Sequence, residues 1–370
     1  MIISSSAELQ KICGKTNQCQ YITVDTEFSR TKGAFYPEAS LIQFSLDGKI
    51  GYICDILNKD IDLAPLGKLF ENKECIKVFH SAQQDLHLIY RILGIKTNNI
   101  FDVQIAAMFL GKYRNPSYDL LVRDFLGVQL DKELQFSNWM ARPLLDKQLK
   151  YAERDVTYLF RLFPKIRDAL GEKKYLWVIE EVDKINSYDK DYEVNHYLEK
   201  IALKVVYKKQ KITPKYLWLL KIAIKWREEY SLSRNLSKNS IMNNASLYEF
   251  VYKIYNHFDK LNITKLGKTK FTKQILEEIQ NEIEFDKDLS EFEKLCETIM
   301  RRKNVIHFNS QLYLGLKVLL HNCSVETEIQ PQLIATKQDL IQLAADNHLN
   351  CKFNSGWRYE VFGEKAKEIL

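Results

Sequence analysis

The chain has 370 residues, 46% of them hydrophobic, and 54 Lys and Arg against 48 Asp and Glu give it a net charge of +6. That length supports two or three domains with real cores. The mild positive charge suits a polyanionic partner but is no basic tail, because residues 1–175 carry 24 Lys and Arg against 21 Asp and Glu and the excess is shared along the chain. Seven cysteines without a Cys-x-x-Cys pair argue against a disulfide framework or a zinc site and for a reducing compartment, with the cytoplasm as the expected location. No uncharged apolar run approaches the ~20 residues that span a bilayer. The start of the chain lacks a basic stretch ahead of an apolar one, so no secretory signal is expected.

Taken in chain order, the first strand pattern covers residues 21–24 and runs into Asp25-Thr26-Glu27-Phe28. Side chains alternate along a strand, so Asp25 and Glu27 are expected on one face. Carboxylates held that close raise each other's pKa unless something positive lies between them. A hard divalent cation with oxygen ligands meets that need. Taken alone, Asp-x-Glu is equally what a solvated strand end looks like. Strand patterns recur at 40–44, 50–53 and 76–79, with turn residues at Asp47-Gly48. Helical spacing marks 64–70, 85–93, 103–110, 120–126 and 147–162. A three-strand meander followed by α/β alternation is therefore expected, a mixed sheet flanked by helices.

Two further acids fall in helical contexts. Ser81 is the expected N-cap of the helix that follows the 76–79 strand, which puts Asp85 in its first turns. Tyr151 and Asp155 are four residues apart, so on a helix they share a face. Either acid alone reads as an ordinary solvated helix residue. The ordered set is more specific: acid-x-acid on a strand, an acid after a strand and turn, then Tyr-x-x-x-acid on a helix.

That set resembles the DEDD superfamily of 3′→5′ exonucleases, in the subclass whose fifth residue is tyrosine. The stretch 24–43, which opens Val24-Asp25-Thr26-Glu27-Phe28 and closes Leu41-Ile42-Gln43, is similar to the first exonuclease motif of the ribonuclease D family. Phe79-His80-Ser81-Ala82-Gln83-Gln84-Asp85-Leu86 is similar to the second, and Tyr151 through Leu159 to the third. Phe101-Asp102 and Trp139-Met140-Ala141-Arg142-Pro143-Leu144 also match family strings. The likeness is strong to about residue 163 and weaker beyond.

The resemblance implies an RNase-H-like exonuclease domain over 1–172, a helical connector over 173–208, an HRDC domain over 209–288, and a degenerate second HRDC-like helical domain over 289–370. Helical patterns at 175–185, 192–208, 214–230, 246–258, 270–285, 289–303, 310–320 and 331–346 suit that plan. Trp226-Arg227-Glu228, Arg234 through Lys238, and Ser355-Gly356-Trp357-Arg358 carry the likeness there. Leu266-Gly267-Lys268-Thr269 mimics a phosphate-binding loop, but Asn262 stands where its first glycine belongs.

Two divalent ions, Mg²⁺ or in its place Mn²⁺, are the implied cofactors, with Asp25, Glu27, Asp85 and Asp155 as ligands and Tyr151 positioning the attacking water. The implied activity trims extra residues from the 3′ end of tRNA precursors and releases 5′-mononucleotides. The partner is thus RNA with a single-stranded 3′ end; no membrane or obligate protein partner is implied. An exonuclease acting on DNA or on other structured RNAs is the alternative, and a catalytically dead nucleic-acid-binding module a third reading. Phe28 and His80 are candidate contacts for the terminal nucleotide, although a histidine that ends a strand also serves structure. Asp102 is expected to cap or orient. Lys208, Lys209 and Lys211 are expected on a solvated face, with phosphate contact as the alternative.

Overall fold

The structure, a computed structural model, describes residues 1–30, 33–34, 37–130, 137–185, 198, 212–257, 267–283, 289–304, 309–346, 349 and 351–370. Two compact units emerge. The first combines 1–29, 37–188 and 310–370, and the second 30–36 and 189–309.

The first unit is built on a five-stranded mixed sheet. After helix α1 (Ser6–Gly14), strands β1 (Tyr21–Ser29), β2 (Glu38–Ser45) and β3 (Gly51–Asp55) form the expected antiparallel meander. Strands β4 (Ile76–Phe79) and β5 (Ile100–Asp102) then add parallel to β1, giving the order β3-β2-β1-β4-β5. Helices α2 (Ala64–Glu71), α3 (Gln83–Leu93), α4 (Val103–Met108) and α5 (Tyr118–Leu126) link and flank these strands. β1 does not stop at residue 24, as its apolar run suggests. It continues through both acids because Asp25 pairs with Gln43 and Glu27 with Leu41, and a bulge follows only after Glu27.

Helix α6 (Asp146–Ile185) crosses the sheet and buries Ala152, Val156, Leu159, Phe163, Ile166 and Leu170, a spacing of three and four that forms one apolar stripe. The helical pattern predicted to end at 162 runs on to Gly171. There φ is +66°, a backbone region glycine enters without a Cβ clash, and the helix breaks before resuming. Its last turns receive the C-terminal segment. Trp357 N–H donates to Glu180 Oε2 at 2.8 Å, and Arg358 grips Glu181 with Nη1–Oε2 at 2.5 Å and Nη2–Oε1 at 2.8 Å. The Trp357 ring packs edge-on against Phe109 at 4.9 Å.

This packing alters the expected partition. Residues 290–304 belong with the second unit, whereas 310–370 belong with the exonuclease part, so contacts do not divide at residue 289. The string Ser355–Arg358 is an anchor on α6. The helix expected over 331–346 is two helices, Pro331–Ile334 and Lys337–Asp346, because Ala335 is extended between them.

The second unit centres on α7 (Pro214–Arg234), whose Leu217, Leu220 and Ile224 are buried with Leu247, Val251, Ile275 and Ile279 from the helices that follow. Thr213 caps it and Pro214 occupies its first turn. Arg227 is fully buried and donates from Nη1 to Met242 O at 2.8 Å and Asn244 Oδ1 at 3.0 Å. It is a structural residue within the Trp226-Arg227-Glu228 string. Apart from Leu198, the helix expected over 192–208 lies outside the described residues, as do Lys208, Lys209, Lys211 and most of the expected boundary at 286–289. No helix among the described residues is long and apolar enough to cross a membrane.

Candidate active site

The two faces of β1 are occupied differently, and this builds the site. Odd-numbered positions face α6: Tyr21 stacks on Phe160 at 4.3 Å, and the Thr23 hydroxyl donates to Val156 O at 2.7 Å. Asp25 and Glu27 come next in that row, level with Asp155 on the same helix. Ligand oxygens of Asp25, Glu27 and Asp155 all lie within 4.8 Å of one another. Two of the expected stretches thus meet through strand alternation and one turn of α6.

Asp85 approaches from the opposite face. Thr26 points away from its acidic neighbours and donates from Oγ1 to Asp85 Oδ1 at 2.5 Å. Asp85 is buried close enough to Asp25 for the two charges to interact, yet stands outside the tight trio. Its helix is not capped by Ser81. That residue has φ +61°, outside the extended region an N-cap uses, and α3 starts at Gln83. Asp102 supplies the acceptors instead. Its carboxylate receives Ser81 N–H at 3.0 Å and Ala82 N–H at 2.8 Å, and also Gln104 N–H at 2.8 Å. One anion therefore serves the N-terminal ends of α3 and α4, where the helix dipoles favour it.

Tyr151 lies beside Asp155, lowering that acid's pKa while its own is raised by it, and its ring lies 5.9 Å from that of Trp139. Trp139 is held by Ser40, whose hydroxyl donates to its carbonyl at 2.5 Å, and by Arg142, which donates to the same carbonyl and forms a two-point ion pair with Asp55. The string around Trp139 and Arg142 is thus the wall behind Tyr151. Tyr118 donates to Asp155 O at 2.5 Å and fixes that turn of α6. His80 does not stand free to meet a ligand through Nε2. That nitrogen lies 3.1 Å from Pro116 O, and since a carbonyl only accepts, Nε2 carries the proton. Phe28 follows the bulge, half-buried.

The electrostatics follow from crowding without a counter-charge. Burial raises the Asp25 pKa to about 6, opposed by hydrogen bonds from Thr26 N–H and Gln43. Burial, then Asp25, Asp155 and Asp85, push Glu27 well above the carboxylate range. Asp155 rises through burial and Asp25, against the Tyr151 hydrogen bond. Tyr151 itself is raised by burial and by Asp155, so its hydroxyl keeps its proton at neutral pH. Among the described residues none of the four acids is ion-paired, and the donors reaching them are neutral ones: Gln43, Thr26, Tyr151 and backbone N–H groups. Oxygen-only donors with surplus negative charge are what a hard divalent cation selects. The residues fit such an ion.

A 3′-5′ exonuclease family model matches residues 1–171. Across the whole length the chain is 32% identical to ribonuclease D of Bartonella henselae, covering 100% of this chain and 89% of that one. It is 31% identical to ribonuclease D of Nitrobacter hamburgensis, covering 99% and 94%. The chain belongs to the ribonuclease D family. Its activity is that of a hydrolytic 3′→5′ exoribonuclease that uses a divalent metal. The fold is shared with the crystal structure of Escherichia coli RNase D, at a TM-score of 0.75 and 22% identity over 100% of this chain and 98% of that one.

Within this ribonuclease D site, two polar residues were given no role by the sequence. Thr26 sits between the acids and serves the opposite face. Gln43 lies among Leu41, Ile42 and Phe44 in β2 and reaches both Asp25 and Glu27. A lone amide inside an apolar strand was the available signal for the second.

Proposed function

We propose that this protein removes trailing nucleotides one at a time from the 3′ ends of tRNA precursors and releases nucleoside 5′-phosphates. Asp25, Glu27, Asp85 and Asp155 would hold two divalent ions, Mg²⁺ physiologically and Mn²⁺ as a substitute, which when bound acidify the attacking water and stabilise the departing 3′ oxygen. Asp25, Glu27 and Asp155 would hold one ion, and Asp85 with Asp25 would hold the other. Supporting this division, Asp85 is near Asp25 but outside the trio that Glu27 and Asp155 form with it. Tyr151 orients the water by its hydroxyl. Its hydroxyl keeps its proton beside Asp155 and is too weakly acidic to act as a base.

The observation that carries this reading is the convergence of Asp25, Glu27 and Asp155 within 4.8 Å, none of them ion-paired among the described residues. His80 directly follows β4 and Phe28 follows Glu27 on β1, and they are the proposed neighbours of the terminal nucleotide. The helical segments would hold the folded body of the RNA, with residues 209–288 as an HRDC-type module, and backbone contacts would make binding salt-dependent.

The test is digestion of a tRNA precursor carrying an extended, labelled 3′ end, with Mg²⁺ or with chelator. Stepwise release of nucleoside 5′-phosphates that stops at the mature end, lost with chelator and in Asp25→Asn, is expected. Preferential digestion of a matched DNA oligonucleotide, or of structured RNAs other than tRNA precursors, overturns the substrate assignment.

A further inference from the structure

We infer that Gln43 is a positioning residue for metal binding: its amide holds one oxygen of Asp25 and one of Glu27 and leaves their other oxygens, Asp25 Oδ1 and Glu27 Oε2, for coordination. This inference rests on the proposed metal-ligand role of those two acids. Gln43 is completely buried on the strand beside theirs, in register with Asp25. Residues directly opposite in an antiparallel pair project to the same face. Its Nε2 lies 2.9 Å from Asp25 Oδ2 and 3.4 Å from Glu27 Oε1. Carboxylates only accept and the amide nitrogen has two hydrogens, so one N–H serves each acid and the orientation of the amide is settled by chemistry.

The other end of the amide exposes what this arrangement costs. Gln43 Oε1 is buried with no hydrogen-bond partner. A residue kept for core packing alone, between Ile42 and Phe44, would carry no unpaired acceptor. The double donation to the acids is what offsets it. Lysine or arginine would hold the same two carboxylates more strongly, but their charge would occupy the place of the cation. A serine or threonine hydroxyl has a single hydrogen and cannot serve both acids. A neutral, two-hydrogen donor restrains two like charges and leaves the site its full negative charge.

The test is calorimetric titration of Mn²⁺, without RNA, into metal-free wild type, Gln43→Met and Asp25→Asn. Gln43→Met preserves the length of the side chain and removes the donor. It is expected to weaken Mn²⁺ binding about 10- to 100-fold, the usual effect of removing a group that orients a metal ligand. Raising Mn²⁺ should restore its turnover but not that of Asp25→Asn. If Gln43→Met does not fold, Gln43→Asn, which keeps the amide but draws it back from the acids, gives the same readout. Mn²⁺ bound as tightly as in wild type, with or without a lower melting temperature, overturns the inference while leaving the proposed site intact. Unchanged Mn²⁺ binding in Asp25→Asn would instead remove the proposed site, and the role of Gln43 with it.

Discussion

Two groups of carboxylates in the first unit feel burial in environments that drive them in opposite directions. At the end of β1, Asp25, Glu27 and Asp155 face one another with only neutral donors for company among the described residues, and burial raises their pKa values. On α6, Glu181 experiences burial too, but Arg358 hydrogen bonds and charge overcome it and bring its pKa down to about 2. The second site is electrically complete within the chain. The first has no counter-charge among the described residues, and the proposed divalent ions would supply it. The contrast separates a carboxylate that secures the fold from one proposed to hold a cation.

The largest effect that would break this contrast is on turnover. Asp25→Asn or Asp155→Asn should lower Mg²⁺-dependent release of the 3′ nucleotide on the order of 10³-fold, measured with labelled RNA. The same change should raise, not lower, the melting temperature of the metal-free protein at pH 8, because it removes a buried like charge. A carboxylate that secured the fold would behave in the opposite way.

Arg358→Ala is expected to destabilise the first unit by about 3–5 kcal/mol, since it strands Glu181 without its cation. Urea unfolding checks this, and a loss under ~1 kcal/mol would place the pair among surface ion pairs of little consequence. Tyr151→Phe keeps the ring against Trp139 and removes the hydroxyl, so turnover should fall about 10- to 100-fold with RNA affinity nearly unchanged. Equal losses in both would argue against the positioning of water.

pH sharpens the comparison with smaller effects of opposite sign. The raised folded-state pKa of Asp25 gives stability that is complete below the ordinary carboxylate value of 3.8 and is lost as pH rises through about 6. The stabilisation by Mn²⁺, read as a shift in melting temperature, should therefore grow through that window and be slight at pH 4. Glu181 works the other way: its lowered pKa gives stability present above 4.5 and lost as pH falls toward about 2. Acid titration of unfolding free energy in wild type and Glu181→Gln isolates that contribution in the lower window alone.

Much of the exonuclease part was legible in the residues. The meander, the flanking helices and the shared face of Asp25 and Glu27 follow from local periodicity, which depends on near neighbours in the chain. What periodicity could not supply lies where long-range pairing decides. α1 was unmarked, and β5 is only three residues long and exists because β4 pairs with it. β1 outlasts its apolar run because β2 supplies partners for both acids. Ser81 loses its expected cap to Asp102, a residue 21 positions away.

The sequence by itself determined which side chains are proposed to carry the chemistry: four acids and a tyrosine in an order and spacing that strand and helix geometry turn into facing groups. Tertiary structure alone decided their arrangement, with three acids in close convergence, Asp85 set apart on Thr26, and Gln43 between two of them. It also decided that residues 310–370 join the exonuclease part through Glu181 and Arg358. The physical reason is that local periodicity acts over a few residues, whereas electrostatic and packing contacts between distant segments come into being only when the chain has folded.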